Sequence, residues 1–123
     1  MASLIVPTMV FTSSRDTINI PEHGAYPIYE HLGSAVKSLV VFEGADHPLY
    51  SDACEVEPWV VDTFDLFWLC ADPVWDKDRA HDLINHLITA FLLDTLKGDE
   101  AAHAALLAEN VSFPGITYDT TMK

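Results

Sequence analysis

Two short apolar runs separated by a helical segment constrain the fold of this chain more than any other feature. Residues 4–11 and 38–42 are rich in branched side chains and apolar on both faces, which is typical of strands buried in a parallel sheet. Pro7, inside the first run, indicates an edge strand or a strand that begins only at Thr8. Between the runs, Tyr26, Tyr29 and Leu32 recur at helical spacing. The order strand, helix, strand predicts one parallel βαβ unit with a right-handed crossover, and therefore an α/β fold class.

The second half of the chain has a helical pattern. A helix is expected to begin after Pro58, and a second covers residues 76–97 and ends at Gly98. Its apolar positions recur at intervals of three, four and seven, at Leu83, Ile84, Leu87, Ile88, Phe91 and Leu92. Residues 100–109 predict one more short helix, and the tail from Asn110 is expected to be irregular.

With 123 residues, the chain is long enough for a single domain. A sheet of two parallel strands cannot cover both of its faces and leaves two open edges. We therefore expect residues 1–123 to be the C-terminal part of a larger α/β fold. The exposed edges and the apolar helix over residues 76–97 predict a homodimer or higher oligomer.

The charge balance excludes several classes of partner. The formal net charge is −13, and no basic stripe is present to neutralise phosphates, which argues against nucleic acid and anionic membrane surfaces. No run approaches the roughly 18 apolar residues of a membrane span. The start of the chain lacks a basic n-region, so no signal peptide is expected in it.

Two polar residues follow the two predicted strands. Asp16 comes after the first, and His47 follows the second in "VVFEGADH". Because parallel strands end at the same edge of a sheet, where open α/β folds place their sites, we expect these side chains to lie close together. An acid beside an imidazole can hold the correct tautomer and stabilise the imidazolium while the other ring nitrogen takes a proton.

Three stretches of the sequence, including those that carry Asp16 and His47, resemble a known family. The stretches "VPTMVFTSSRDTI", "KSLVVFEGADH" and "WDKDRAHDLINHLITAFLLDTLKGD" resemble the C-terminal third of an α/β-hydrolase, and the resemblance covers about residues 6–118. The nearest likeness is to the bacterial proteins called predicted dienelactone hydrolases, relatives of the platelet-activating-factor acetylhydrolase group. The resemblance implies that Asp16 and His47 occupy the acid and histidine positions of a catalytic triad, in the order known for these enzymes.

The same comparison reveals a departure, since the sequence contains no G-x-S-x-G nucleophile elbow. Ser13 and Ser14 lie near Asp16, but they are expected to be turn residues rather than nucleophiles. The resemblance thus implies a serine-hydrolase-like protein acting on a small ester, without a cofactor, that retains the Asp and His positions alone. The alternative is a non-catalytic hydrolase fragment stabilised by self-association.

The remaining histidines and tryptophans have structural interpretations. His81 and His86 are five residues apart, which does not suit a helical metal site, and we expect them to form a buried or capping network with Asp82 and Asn85. No metal is predicted. The three tryptophans are expected mainly to pack in the core and its loops, with exposure in this chain as the alternative; they are Trp59, Trp68 and Trp75.

Cys54 and Cys70 are separated by sixteen positions and do not form a CxxC motif. Secreted members of the resembled family carry cysteines at both places, so the resemblance implies a disulfide and an exported ancestor. The alternative is a pair of reduced cysteines in a cytosolic protein. The sequence does not determine the localisation of this chain.

Overall fold

The computed structural model describes residues 3–123 as a three-stranded sheet with helices. The strands are β1 (Thr8–Ser13), β2 (Lys37–Phe42) and β3 (Ile116–Thr120), and the helices are α1 (Ala25–His31), α2 (Ala53–Val56), α3 (Pro58–Phe64), α4 (Lys77–Lys97) and α5 (Glu100–Ala105). Two 3₁₀ turns cover His47–Tyr50 and Phe67–Leu69.

The first half of the fold is the predicted βαβ unit. Strands β1 and β2 pair in parallel, from Thr8 opposite Lys37 to Ser13 opposite Phe42, and α1 connects them. The first strand begins at Thr8, one residue after Pro7, because proline cannot donate to the ladder. The α/β class is therefore confirmed as a small mixed α/β arrangement with one parallel pair.

The tail was wrongly predicted to be irregular. Residues Ile116–Thr120 form β3, which pairs antiparallel with β2 and places Val40 opposite Tyr118. The edge of β2 that was expected to be open is thus occupied, and β2 is the central strand. Hydroxyl groups add to this pairing, because Ser38 Oγ lies 2.8 Å from Thr120 Oγ1.

Helix α4 has the predicted extent. The Asp76 side chain caps its first turn by accepting from the Arg79 backbone N–H at 2.9 Å, and Gly98 ends it in the left-handed region. The buried face is narrower than the apolar pattern implied: Leu87 and Phe91 are buried, but one side of the stripe is exposed at Ile88, Leu92 and Leu96.

The core lies between the sheet and α4. The Phe42 ring is fully buried and meets Trp75 edge to face, with ring centroids 5.0 Å apart. The Trp75 indole N–H donates to the Glu43 carbonyl at 3.0 Å. Gly115, with φ of +83°, passes so close to this indole that an added Cβ would lie 2.6 Å from a ring carbon. Close approach and positive φ therefore both require glycine there.

Only Trp75 of the three tryptophans packs as expected. Trp59 and Trp68 are exposed, so the packing prediction is wrong for both. They lie in the segment bridged by the Cys54–Cys70 disulfide, which is present as the family resemblance implied.

The C-terminus is fastened to α4 and α5 through a histidine. His103 Nδ1 lies 3.2 Å from the Asp94 carboxylate, and Nε2 lies 3.1 Å from the Lys123 carbonyl oxygen. The bond to this carbonyl, followed by the bond to Asp94, raises the pKa of the His103 imidazole.

None of the helices within residues 3–123 combines the length and apolar character needed to cross a bilayer.

Candidate functional site

The loops after β1 and β2 meet at one edge of the sheet. Backbone hydrogen bonds join them directly: Ser14 N donates to the Phe42 carbonyl and Arg15 N donates to the Ala45 carbonyl, each at 3.0 Å. Such bonds hold two loops of different origin in one fixed arrangement, so the residues that follow each strand are brought together.

Asp16 lies at this junction, only 6% exposed. Its Oδ1 accepts from the backbone N–H groups of Ile18 at 2.9 Å and Asn19 at 2.6 Å, which anchors the carboxylate to its own loop. Its Oδ2 lies 3.1 Å from His47 Nδ1. The two residues singled out in the sequence are therefore in hydrogen-bond contact.

This contact determines the tautomer of His47. An ionised carboxylate can only accept, so Nδ1 carries the proton and Nε2 keeps a free lone pair. The Asn19 side-chain nitrogen lies 3.4 Å from the same Nδ1, and two donors cannot pair, so the Nδ1 proton is directed at Asp16. The His47 side chain is 28% exposed, and within residues 3–123 its Nε2 makes no hydrogen bond. The Asp16 carboxylate thus orients the His47 ring and leaves its Nε2 lone pair available to accept a proton.

A second carboxylate, Asp46, fixes the backbone at His47. Its Oδ1 accepts from the backbone N–H of His47 at 2.7 Å and of Thr17 at 2.8 Å, and so ties the two loops together again. Burial raises the pKa of Asp46, but the hydrogen bonds from Thr17 and His47 outweigh it, and the net effect holds that pKa below its usual value.

Asp72 supports this loop from the other side. Its Oδ2 accepts from Asp46 N at 2.8 Å, while its Oδ1 accepts from Val74 N at 2.9 Å and Trp75 N at 2.8 Å. Asp72 follows Cys70 by two residues, so the disulfide-bridged segment is connected to the backbone of the candidate base. The bonds that join separate loops, from Thr17 N to Asp46 and from Asp46 N to Asp72, link residues that are distant in the chain, so no local sequence signal marked them.

The turn prediction holds for Ser14 but is wrong for Ser13, which is the last residue of β1. Ser13 is fully buried, and its hydroxyl donates to the Tyr50 hydroxyl at 3.1 Å. Ser14 Oγ accepts from Gly44 N at 2.8 Å. Burial, together with the negative charges of the neighbouring carboxylates, outweighs the bond from Ser13 and raises the pKa of Tyr50 to about 12, so this phenol stays protonated at neutral pH. Among the described residues, neither serine is hydrogen-bonded to His47.

His81 and His86 do not form the expected network. His81 Nε2 lies 2.8 Å from the Leu49 carbonyl oxygen, and its Nδ1 faces Asp52 at 3.5 Å, so it packs α4 against the turn that carries His47. His86 meets Phe113 edge to face. In residues 3–123, no three His, Cys, Asp or Glu side chains come together as metal ligands would.

A shallow groove of about 590 Å³ between α4 and α5 is lined by His86 and several alanines, and it includes neither Asp16 nor His47.

No protein family, curated protein or solved structure gives a significant match to this chain. The fold and the site define a small mixed α/β protein with an oriented Asp–His pair at the carboxyl ends of its two parallel strands.

Proposed function

We propose that this chain is the C-terminal part of an α/β-hydrolase-like protein that acts on carboxylic esters. In this proposal, His47 is the general base and Asp16 is the residue that orients it. The observation that carries the proposal is the 3.1 Å contact between His47 Nδ1 and a buried Asp16 carboxylate that is itself held by two backbone N–H groups.

The geometry suits acyl-transfer chemistry because each partner has one role. The carboxylate holds the Nδ1–H tautomer and stabilises the positive charge that develops when Nε2 accepts a proton. The base lies on a backbone restrained by Asp46, so that the ring is presented in one direction. The lone pair on Nε2 can deprotonate a water molecule or a hydroxyl group, or can attack an activated ester itself.

The nucleophile of a complete triad is the part that these residues do not supply. Ser13 is buried against Tyr50, and Ser14 is committed to Gly44, so neither is free to be activated. The chain alone is therefore expected to show only the slow reactivity of an oriented imidazole, with activated esters such as p-nitrophenyl acetate and butyrate.

The test compares hydrolysis of both esters by the native chain, His47→Ala and Asp16→Asn. We expect the rate to fall in both variants, and to fall further in His47→Ala. His103→Ala is the matched control because His103 is also paired with a carboxylate, Asp94, at 3.2 Å. A loss as large in His103→Ala as in His47→Ala, or equal rates in all proteins, would contradict catalysis by this pair.

The second candidate is a non-catalytic fragment that persists by associating with its own copy. Exposed apolar residues on α4, Ile88, Leu92 and Leu96, favour this alternative, as does the outer edge of β1, which pairs with β2 alone within the described sheet. Analytical ultracentrifugation at micromolar concentration distinguishes the candidates. A dimer that Leu92→Glu dissociates, combined with no His47-dependent hydrolysis, favours association, whereas a compact monomer argues against it.

A further inference from the structure

The segment over residues 51–72 forms a local unit beside the turn that carries His47. Helices α2 and α3 and the 3₁₀ turn Phe67–Leu69 pack against one another, and the Cys54–Cys70 disulfide closes the unit near its two ends. From α4, Lys77 Nζ donates to the carbonyls of Ser51 and Leu69 and fastens the same two ends. The unit is thus held in place while presenting its outer side to solvent.

The unit exposes several large apolar and aromatic side chains to solvent. Five large side chains of the unit are between 50% and 69% exposed, namely Val56, Trp59, Phe64, Phe67 and Trp68, and we call them the aromatic face. Apolar residues exposed singly need no explanation, but a concentration of this kind in one short unit is characteristic of an interaction surface. Trp and Phe are also enriched at protein interfaces, and Trp is among the residues that most often contribute the largest share of binding energy.

The charge on the same unit has one sign. Residues 51–72 contain no Lys, Arg or His, and their exposed acids are Asp52, Glu55, Glu57, Asp62 and Asp65. The sixth acid, Asp72, is buried, and Asp52 faces His81 of α4 at 3.5 Å. At least one acid is built into the aromatic face, since the Trp59 indole N–H donates to the Glu57 carboxylate at 2.6 Å. The cation beneath the unit, Lys77, is half-buried and directed at backbone carbonyls, so it does not neutralise the outer side.

We propose that the aromatic face binds a basic amphipathic helix of a partner polypeptide. Its apolar side would cover the aromatic rings, while its Lys and Arg side chains would reach the surrounding carboxylates and stack on the indoles. A second copy of this chain would bring an equally acidic surface against the first, and like charges in contact oppose such an interface. Anionic lipid is disfavoured for the same reason. This inference is independent of the Asp16–His47 pair and of any hydrolytic activity.

The experiment measures binding of the full chain to a fluorescently labelled amphipathic helix made of Leu and Lys, by anisotropy. The matched probe is a helix of the same length and pattern made of Leu and Glu. We expect saturable binding of the Lys helix that weakens with added salt, and at least about tenfold weaker binding of the Glu helix.

Variants locate the site. Trp59→Ala is expected to weaken binding about tenfold or more, as loss of an aromatic anchor does, whereas Leu96→Ala, also an exposed apolar residue, changes it little. Asp62→Lys and Glu109→Lys alter the net charge equally, but only Asp62 belongs to the unit. Asp62→Lys should therefore weaken binding clearly more than Glu109→Lys, and this arm remains informative if Trp59→Ala does not fold.

Three results would overturn the proposal. One is equal binding of the Lys and Glu helices, and another is an equal effect of the unit variants and their controls. The third is evidence that something else covers the aromatic face. A dimer that Trp59→Ala dissociates in ultracentrifugation would identify a second copy of the chain, and binding of zwitterionic lipid vesicles without binding of the Lys helix would identify a lipid surface.

Discussion

Removing the Asp72 carboxylate should destabilise the protein and release the backbone next to His47. Asp72 is 9% exposed and accepts three backbone hydrogen bonds, from Asp46, Val74 and Trp75. A hydrogen bond to a charged group contributes about 1.5–3 kcal/mol, and bonds that share one acceptor group are not additive. We therefore expect Asp72→Ala to lower the free energy of unfolding by about 3 kcal/mol, a large part of the total stability of a typical domain.

Asp72→Asn separates the bond that Asp72 accepts from Asp46 N from the bonds that it accepts from Val74 N and Trp75 N. The amide oxygen can keep the bonds from Val74 and Trp75, but its NH₂ group then faces the Asp46 N–H, and two donors cannot pair. The expected loss is about 1.5 kcal/mol. Amide hydrogen exchange should accelerate at Asp46 in both variants, and at Val74 and Trp75 only in Asp72→Ala.

Urea unfolding followed by circular dichroism measures the stability, and NMR measures the exchange. Asp76→Ala is the control, because the exposed Asp76 accepts a single bond, from Arg79 N, and its loss should cost only about 1 kcal/mol as a helix cap. Should Asp72→Ala change the stability by less than about 0.5 kcal/mol, or leave exchange at Asp46 unaltered, the supporting role assigned to Asp72 is wrong.

Three further predictions concern the rest of the fold. Gly115→Ala should lower the free energy of unfolding by at least about 2 kcal/mol through both backbone strain and overpacking. Gly98→Ala, whose added Cβ would have no atom nearby, should lower it by only about 1 kcal/mol through strain alone. Similar losses for the two variants in urea unfolding would contradict the overpacking at Gly115. The folded-state pKa of the His103 imidazole is raised, so the protonated ring stabilises the fold fully below its unfolded pKa of about 6.5, and this stabilisation is lost as the pH rises through the folded pKa. His103→Ala should therefore lower the melting temperature more in acid than in alkali. A difference in melting temperature that does not depend on pH would contradict this. Alkylation without reduction, followed by mass measurement, should find no free thiol, and replacing Cys54 and Cys70 by Ser should lower the stability by about 3 kcal/mol; two labelled thiols would show that the bridge is absent.

The elements with strong local signals could be predicted from the sequence. The apolar branched runs predicted β1 and β2, and apolar periodicity with Gly98 as the stop placed α4 almost to the residue. Such features depend on neighbours within a few positions, so periodicity and capping are sufficient to find them. The strand at Ile116–Thr120 was missed although Ile116 and Tyr118 alternate with polar residues, because a strand of five residues gives only a weak pattern until it pairs.

In the candidate site, too, part could be predicted from the sequence and part was decided by the tertiary structure. The positions of Asp16 and His47 after two parallel strands suggested that they meet, and the family resemblance assigned each a role that stays a prediction. Only the tertiary structure could identify Asp46 and Asp72 as supports, since they bind backbone groups 29 and 26 residues away in the chain. It also decided which tryptophans are exposed, because Trp75 is buried against Phe42 whereas Trp59 and Trp68 remain open to solvent. Residue type and spacing determine which groups are present and which local structures form, whereas burial and partners depend on contacts between distant segments that no local pattern encodes.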